Sequence, residues 1–171
     1  MDLELRDSVV FITGASGGIG RAMAEAFAGE GAKLALHGRG KHGELERWLA
    51  EQPWRDRALS LRADVAKPSE IAATMEKARA HFGRVDVCIA NAGVWTPESK
   101  PLHEADEARI RATIDTNLLG SLWTARAFMA ALAKSGPRDD GRGASLTFIG
   151  STAGRFGEKG QTEYSTSKAG L

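Results

Sequence analysis

The sequence predicts an α/β protein in which helices cover both faces of a doubly wound parallel sheet. Short apolar runs with strand character alternate with longer stretches rich in Ala, Glu, Arg and Leu. This order is expected when each parallel strand is followed by a crossover helix. The strand runs are nearly continuous in apolar residues, as in Val9-Val10-Phe11-Ile12, which is typical of strands buried on both faces.

Five strands and four intervening helices follow from this alternation. The expected strands cover residues 9–13, 33–37, 58–62, 85–90 and 145–149. The expected helices cover residues 18–29, 44–51, 69–81 and about 104–134, each rich in residues that favour helix. A Pro-Ser-Glu sequence at 68–70 opens the third helix, and a polar, glycine-rich segment at 135–143 closes the long one.

Length and composition indicate an ordinary globular protein. The chain has 171 residues, of which 42% are hydrophobic, and this is enough for the core of one domain. Its 23 Lys and Arg against 22 Asp and Glu give a net charge of +1, so charge gives no reason to expect nucleic acid or a membrane surface as a partner. No run approaches the roughly 18 apolar residues of a membrane span, and we expect a cytoplasmic protein.

The single cysteine and the four histidines do not indicate a redox or metal site. Cys88 lies in an apolar run, so we expect a small buried side chain rather than a reactive thiol. His37, His42, His81 and His103 show no ligand spacing with Cys88 or with paired carboxylates. No metal site is predicted.

A glycine-rich segment, Thr13-Gly14-Ala15-Ser16-Gly17-Gly18-Ile19-Gly20, joins the first strand to the first helix. Because glycine has no side chain, a pyrophosphate can approach the backbone N–H groups there, and the positive end of the helix attracts the anion. This placement predicts a dinucleotide site in a Rossmann-type sheet. The alternative is a tight turn that uses glycine only for its positive φ.

Three further motifs follow in chain order. Asp64-Val65 follows the third strand, Asn91-Ala92-Gly93 ends the fourth, and Tyr164 and Lys168 form a Tyr-x-x-x-Lys motif thirteen residues after Ser151. With the Thr-Gly-x-x-x-Gly-Ile-Gly spacing, these motifs resemble the short-chain dehydrogenase/reductase family, and in particular its members similar to 3-oxoacyl-carrier-protein reductases. The catalytic residues that the resemblance implies are Asn117, Ser151, Tyr164 and Lys168. The residues that it assigns to the cofactor are Thr13, Gly14, Ser16, Gly18, Ile19, Gly20, Arg39, Asp64, Val65, Asn91, Ala92, Gly93, Tyr164 and Lys168.

The chemistry of a carbonyl reduction suits these side chains. Hydride addition creates an alkoxide, which needs a proton donor and hydrogen-bond donors, and Tyr164 and Ser151 can supply them. The Lys168 ammonium, four residues further along a helix, would lower the pKa of Tyr164 from about 10. The resemblance adds that Lys168 bonds the nicotinamide ribose and that Asn117 helps to hold a water. The alternatives are an exposed helix face for Tyr164 and Lys168 and a capping role for Ser151.

The segment after the second strand favours NADP(H) over NAD(H). His37-Gly38-Arg39-Gly40-Lys41-His42 has no carboxylate for an adenine ribose 2′-hydroxyl. Arg39 can instead bind a 2′-phosphate through paired hydrogen bonds, with Lys41 as a second positive charge. The alternative is a solvated basic loop.

Several residues are candidates for contacts with substrate or with another subunit. Trp95, Arg155 and Phe156 follow strand ends, where ligands bind in open α/β sheets, although packing or surface placement is the alternative. The long helix has more apolar positions than one sheet contact needs, which indicates a partner. These positions are Ile110, Ile114, Leu118, Leu122 and Phe128. The resemblance implies a homodimer or homotetramer in the full-length form.

We expect one domain, residues 1–171, that stops within the helix carrying Tyr164 and Lys168. Members of the family usually continue for another third of their length, so the resemblance implies that the C-terminal strands are missing. One functional hypothesis is an oxidoreductase that transfers a hydride between NADP(H) and a small carbonyl or secondary alcohol substrate. The other is a non-catalytic NAD(P)-binding module or inactive fragment that acts as a sensor or interaction partner. The complete set of catalytic residues favours the oxidoreductase.

Overall fold

The computed structural model describes residues 3–171, which form a five-stranded sheet with the strand order β3-β2-β1-β4-β5. All neighbouring strands are parallel. Each expected strand is present, with small differences at its ends. The strands are β1 Val9–Ile12, β2 Lys33–Gly38, β3 Ala58–Arg62, β4 Val87–Ala90 and β5 Ser145–Phe148.

Helices cover both faces of this sheet, as the sequence predicts. They are α1 Gly18–Gly29, α2 His42–Ala50, α3 Pro68–Phe82, α4 Glu107–Ile114, α5 Gly120–Ser135, α6 Thr152–Phe156 and α7 Thr162–Ala169. Side chains alternate across β1: Val9 and Phe11 pack with residues of α3 and α5, whereas Val10 and Ile12 pack with residues of α1 and α2. The sheet is therefore doubly wound. Within residues 3–171, no helix combines the length and the apolar composition required to cross a bilayer.

The long helix expected over about 104–134 is present, but it begins at Glu107 and contains a π turn that the sequence did not predict. A short 3₁₀ turn at Leu102–Glu104 precedes α4, and a five-residue π-helical turn, Asp115–Leu119, separates α4 from α5. A π turn holds one more residue than an α turn. Here it carries Asn117, which is fully buried and whose side chain bonds the backbone N–H and C=O of Val94. The π turn thus coincides with a contact between residues 23 apart, which helix periodicity does not indicate.

Strand β5 differs from the buried strands that the sequence predicts. It lies at one edge of the sheet, and its residues alternate between exposed and half-buried. By contrast, all four residues of β1 are buried. Cys88 on β4 is fully buried, as expected, and burial raises the pKa of its thiol to about 12, so the thiol stays protonated.

Asp86 fixes the beginning of β4 against β1 and against the loop before β5. One oxygen of its buried carboxylate accepts hydrogen bonds from the Val9 N–H at 2.9 Å and from Arg138 at 2.8 Å. The other accepts from Nε of Arg84 at 2.5 Å. The Asp86 side chain is 3% exposed and that of Arg138 is 12% exposed, so these charges are largely shielded from water.

Replacing Asp86 with Ala should lower the free energy of unfolding by about 3–5 kcal/mol, because it leaves buried donors without their acceptor. Chemical denaturation measures this change. Asp56→Ala is the control, because the Asp56 side chain is 91% exposed and its loss should cost about 0.5 kcal/mol or less. Equal losses in the two variants would contradict the role given to Asp86.

Candidate active site

A cavity of about 520 Å³ runs along the carboxyl ends of the strands. Most residues predicted to bind a cofactor line it: Gly14, Ser16, Gly18, Ile19, Gly20, Arg39, Val65, Asn91, Ala92 and Gly93. Thr13, Asp64, Tyr164 and Lys168 are not part of its lining. Lys41, expected as a second positive charge for a 2′-phosphate, also lines it. So do residues that the sequence-based assignment left out, namely Gly17, His37, Gly40, Val94 and Thr116. The glycine turn, the basic segment after β2 and the Asn-Ala-Gly segment therefore share one cavity.

The shape of the glycine turn depends on two of its glycines. Gly14 has a φ of +67°, and a Cβ on it would lie 2.9 Å from the Cα of Ala92. A Cβ on Gly20 would lie 2.4 Å from the carbonyl oxygen of Gly14, so α1 packs directly on the turn. The residue before α1, Gly17, makes no side-chain cap. The N–H groups of the first helical turn are therefore open to an anion.

Thr13 and Asn91 join the ends of β1 and β4 behind the cavity. The Thr13 hydroxyl accepts hydrogen bonds from the backbone N–H groups of Asn91 and Ala92, each at 2.9 Å, and donates to the carbonyl of Ile89 at 3.3 Å. The Asn91 side chain donates to the carbonyl of Thr13 at 2.8 Å and to that of Gly14 at 3.3 Å. These contacts hold the glycine turn beside the Asn-Ala-Gly segment.

A positive charge lies at one end of the cavity. Arg39 is half exposed, and its Nη1 donates to the Asp64 carboxylate at 3.2 Å. Lys41 lines the same end, and its ammonium lies 4.0 Å from Glu44. The segment after β2 contains no acid, but the structure brings the Asp64 carboxylate to it from the end of β3. This pairing joins residues 25 apart, and no local pattern predicts it.

His37 contacts the glycine turn from the end of β2. Its Nδ1 accepts a hydrogen bond from the Gly14 N–H at 3.4 Å, and its Nε2 lies 3.0 Å from the carbonyl oxygen of Ala63. The ring is 2% exposed. Burial lowers the pKa of His37 from 6.5 to about 4, so the ring is neutral at physiological pH.

The Tyr164 helix reaches the other end of the cavity. The ammonium of Lys168 donates to the carbonyl of Ile149 at 2.6 Å, and a Cβ on Gly93 would lie 3.7 Å from that ammonium. Burial lowers the pKa of Lys168. Tyr164 is half-buried one helical turn away, and its hydroxyl makes no hydrogen bond to residues 3–171.

Asn117 connects the cavity to this helix. Its Oδ1 accepts from the Val94 N–H at 2.7 Å, and its Nδ2 donates to the Val94 carbonyl at 2.9 Å and to Oγ of Ser167 at 3.1 Å. Ser167 in turn donates to the carbonyl of Tyr164 at 2.7 Å. The Asn117 side chain is thus engaged in positioning α7, and its expected contact with a water stays a prediction. The sequence-based assignment missed Ser167 because a serine within a helix carries no distinctive pattern.

Ser151 has the capping contact that its position after a strand allows. Its Oγ accepts a hydrogen bond from the Ala153 N–H at 3.2 Å at the beginning of α6. This bond uses a lone pair of the oxygen, so the hydroxyl hydrogen is still able to donate. Capping is therefore compatible with the predicted catalytic role.

A buried ion pair holds the beginning of α7. Arg109 on α4 donates to Glu163 at 2.5 Å, and the two side chains are 9% and 2% exposed. Arg109 also donates to the Glu98 carbonyl at 2.8 Å and to the Gln161 side chain at 3.0 Å. Gln161 donates to the carbonyl of Thr96 at 2.5 Å. The loop after β4 and the residue before Tyr164 are thereby fixed together.

The remaining candidates lie outside the cavity lining. Trp95 and Phe156 are 52% and 76% exposed, and the Arg155 guanidinium lies 5.2 Å from the Phe156 ring centroid. A role for them in substrate binding stays a prediction. Across the part of the chain that the structure describes, no three His, Cys, Asp or Glu side chains form a group that could hold a metal ion.

Comparison with known proteins shows that this chain shares a family with several dehydrogenases and reductases. Residues 8–171 match the family model described as short chain dehydrogenase. The chain is 33% identical to cis-4-hydroxycyclohexanecarboxylate dehydrogenase of Sinomonas cyclohexanicum, over 96% of this chain and 63% of that protein. It is also 33% identical to the 3-oxoacyl-acyl-carrier-protein reductase FabG of Escherichia coli, over 99% of this chain and 65% of the relative. The chain thus spans a little under two thirds of the length of these relatives.

Solved structures of related enzymes also resemble this chain in fold. A short-chain dehydrogenase/reductase of Brucella melitensis superposes with a TM-score of 0.86 at 29% identity, covering 99% of this chain and 67% of that one. The 3-ketoacyl-acyl-carrier-protein reductase of Brucella melitensis in complex with NADH also superposes with a TM-score of 0.86, at 28% identity, covering 96% of this chain and 65% of that one.

Gly20→Ala should weaken dinucleotide binding by about 10-fold or more and lower the free energy of unfolding by about 1–3 kcal/mol, because the new methyl group would overlap the Gly14 carbonyl. Fluorescence titration and chemical denaturation measure the two effects. Gly29→Ala in the same helix is the control, since a Cβ there meets nothing within 4 Å. Unchanged binding in Gly20→Ala would show that the turn tolerates a side chain at this position.

Proposed function

The chain belongs to the short chain dehydrogenase family, and from this premise we propose that it transfers a hydride between NADP(H) and a carbonyl or secondary alcohol substrate. The observation that carries the proposal is the position of Gly93. Gly93 lines the cavity of the glycine turn, and a side chain on it would reach both Asn117 and Lys168. The proposed nucleotide cavity and the Tyr-x-x-x-Lys helix therefore meet at one point.

We propose that the glycine turn binds the pyrophosphate. The uncapped N–H groups at the beginning of α1 and the positive end of the helix dipole attract an anion without a net basic surface. Val65 and the Asn91-Ala92-Gly93 segment line the same cavity, and its volume of about 520 Å³ is in the range of small-molecule sites. The relative from Brucella melitensis, whose structure contains NADH, is consistent with a nicotinamide cofactor.

The preference for NADP(H) is proposed from the charges at the cavity end. Arg39 has a planar guanidinium that suits a 2′-phosphate, and Lys41 lies at the same end. Asp64 accepts a hydrogen bond from Arg39 and would compete with a phosphate for it. The exposed side of Arg39 leaves further N–H donors for the ligand.

In the proposed mechanism, a bound nicotinamide supplies the hydride to the carbonyl carbon. The Tyr164 hydroxyl donates its proton to the oxygen as negative charge develops there, and the Ser151 hydroxyl donates a hydrogen bond to the same oxygen. The half-buried Lys168 ammonium stabilises the Tyr164 phenolate that results. A proton from solvent then restores Tyr164. Alcohol oxidation uses the same groups in reverse.

Assembly and location remain predictions from the sequence. Leu122 and Met129 on α5 are 46% and 61% exposed, which supports the proposed homodimer or homotetramer, because a second subunit would cover these apolar side chains. The cytoplasmic location is likewise a proposal.

Tyr164→Phe should retain NADPH binding but lower kcat/KM for any accepted ketone by about 10²–10⁴-fold, because it removes only the proton donor. Steady-state kinetics and a binding titration measure the two quantities. Thr166→Ala, an exposed position on the same helix, should leave both unchanged. Full turnover by Tyr164→Phe would remove Tyr164 from the mechanism, and absence of turnover in the unmutated protein with NADPH bound would favour a non-catalytic binding module.

Arg39→Gln should weaken NADPH binding by about 10-fold, because a charged hydrogen bond to the 2′-phosphate is lost, and should leave NADH binding unchanged. Parallel fluorescence titrations with the two cofactors measure this difference. Arg47→Gln, an exposed position on α2 outside the cavity lining, is the charge-matched control. An equal effect on NADPH and NADH would rule out the proposed contact.

A further inference from the structure

We infer that His37 is a positioning residue for cofactor binding, whose imidazole holds the glycine turn in the shape that receives the pyrophosphate. The inference rests on the proposed function, because it concerns the nucleotide cavity. It assigns His37 a role that differs from that of Arg39, which lies two residues further along the chain and would contact the ligand itself.

The hydrogen bonds of His37 define the state of its ring. Nδ1 lies 3.4 Å from the Gly14 N–H, and because a backbone N–H only donates, Nδ1 must carry the lone pair. Nε2 lies 3.0 Å from the carbonyl oxygen of Ala63, which only accepts, so Nε2 must carry the hydrogen. Both contacts are satisfied by one neutral tautomer and by no other protonation state.

These contacts fix Gly14 at the first bend of the turn. Gly14 has its left-handed φ of +67° here, and its carbonyl accepts from the N–H of Gly17 at 3.1 Å. The backbone of His37 adds a second contact, since its carbonyl accepts from the Ala15 N–H at 2.8 Å. The imidazole therefore supplies the acceptor for a turn N–H that a smaller apolar side chain would leave unpaired.

The surroundings of the ring favour the neutral form. The ring is 2% exposed and stacks on Phe11 with centroids 6.4 Å apart. Burial has the largest effect and lowers the pKa of the ring to about 4, although the hydrogen bond to the Ala63 carbonyl raises it. Among the charged and titratable neighbours, His42 and Arg39 lower the pKa and Asp64 raises it. In a protonated ring, Nδ1 also carries a hydrogen. Two N–H donors would then face each other, and the hydrogen bond from Gly14 would be lost.

Two substitutions separate the contacts of the ring. In His37→Asn, the side-chain oxygen occupies the place of Nδ1 and can still accept from Gly14. In His37→Gln, the side-chain nitrogen occupies the place of Nε2 and can still donate to Ala63, but no acceptor faces Gly14. Both variants remove ring volume and the stacking on Phe11, so a role in packing alone predicts equal effects.

The experiment measures the dissociation constant of NADP⁺ for the purified protein and both variants by isothermal titration calorimetry at pH 7. We expect His37→Asn to bind within about 3-fold of the unmutated protein. His37→Gln should bind about 10-fold more weakly, because the Gly14 N–H loses the acceptor that holds the turn. Equal losses in the two variants, or a larger loss in His37→Asn, would overturn the inference.

A measurement on the unmutated protein keeps the inference testable if a variant does not fold. The ¹⁵N chemical shifts of the His37 ring distinguish the two neutral tautomers and the cation. The Nε2–H tautomer at pH 7 is expected, and a cation or an Nδ1–H tautomer would overturn the inference. Failure of the unmutated protein to bind NADP⁺ would instead overturn the proposed function, and the inference with it.

Discussion

The hydroxyl of Thr13 is the contact on which the arrangement of the site depends. The backbone ladder sets the register of β1 with β4 as far as Ile12 and Ile89. Beyond these strand ends, the glycine turn and the Asn-Ala-Gly segment must also stay together if they are to line one cavity. The Thr13 hydroxyl extends this register past the ladder by accepting from two N–H groups beyond β4 and donating to the carbonyl of Ile89. Asn91 returns two hydrogen bonds to the turn. Because Thr13 is 1% exposed, these bonds are shielded from competition with water.

From this register, hydrogen bonds continue to the helix that carries Tyr164. The segment held by Thr13 leads to Val94, whose N–H and C=O both bond the side chain of Asn117. Asn117 bonds Ser167, which bonds the backbone of Tyr164. The π turn places Asn117 for these contacts, so a local irregularity in the helix serves the position of α7. Three distant parts of the chain are thus held in one arrangement by hydrogen bonds of Thr13, Asn91 and Asn117.

The sequence predicted the doubly wound parallel sheet because apolar runs and helical stretches repeat locally. Ten of the residues that the family resemblance assigns to the cofactor also line the cavity, because the resemblance joins motifs that lie far apart in the chain. The sequence did not predict the π turn, the Arg39–Asp64 pair or the contact of His37 with Gly14. Each of these involves a polar contact between residues 23 or 25 apart. Hydrophobic periodicity indicates which face of an element is buried but not which polar groups pair there. The Ser151 cap uses a lone pair of the hydroxyl oxygen, whereas the proposed catalytic role uses the hydroxyl hydrogen. The two roles are compatible, so the local sequence could not distinguish them.

The most direct test of a hydride-transfer site is deuterium transfer. The purified protein would be incubated with NADPH carrying deuterium at the reactive C4 position of the nicotinamide, together with a panel of small ketones, and the alcohols analysed by mass spectrometry. The account predicts an alcohol with one deuterium on its carbinol carbon. Bound NADPH with no deuterated alcohol from any ketone would contradict it, and the cavity would then be a nucleotide-binding site without turnover.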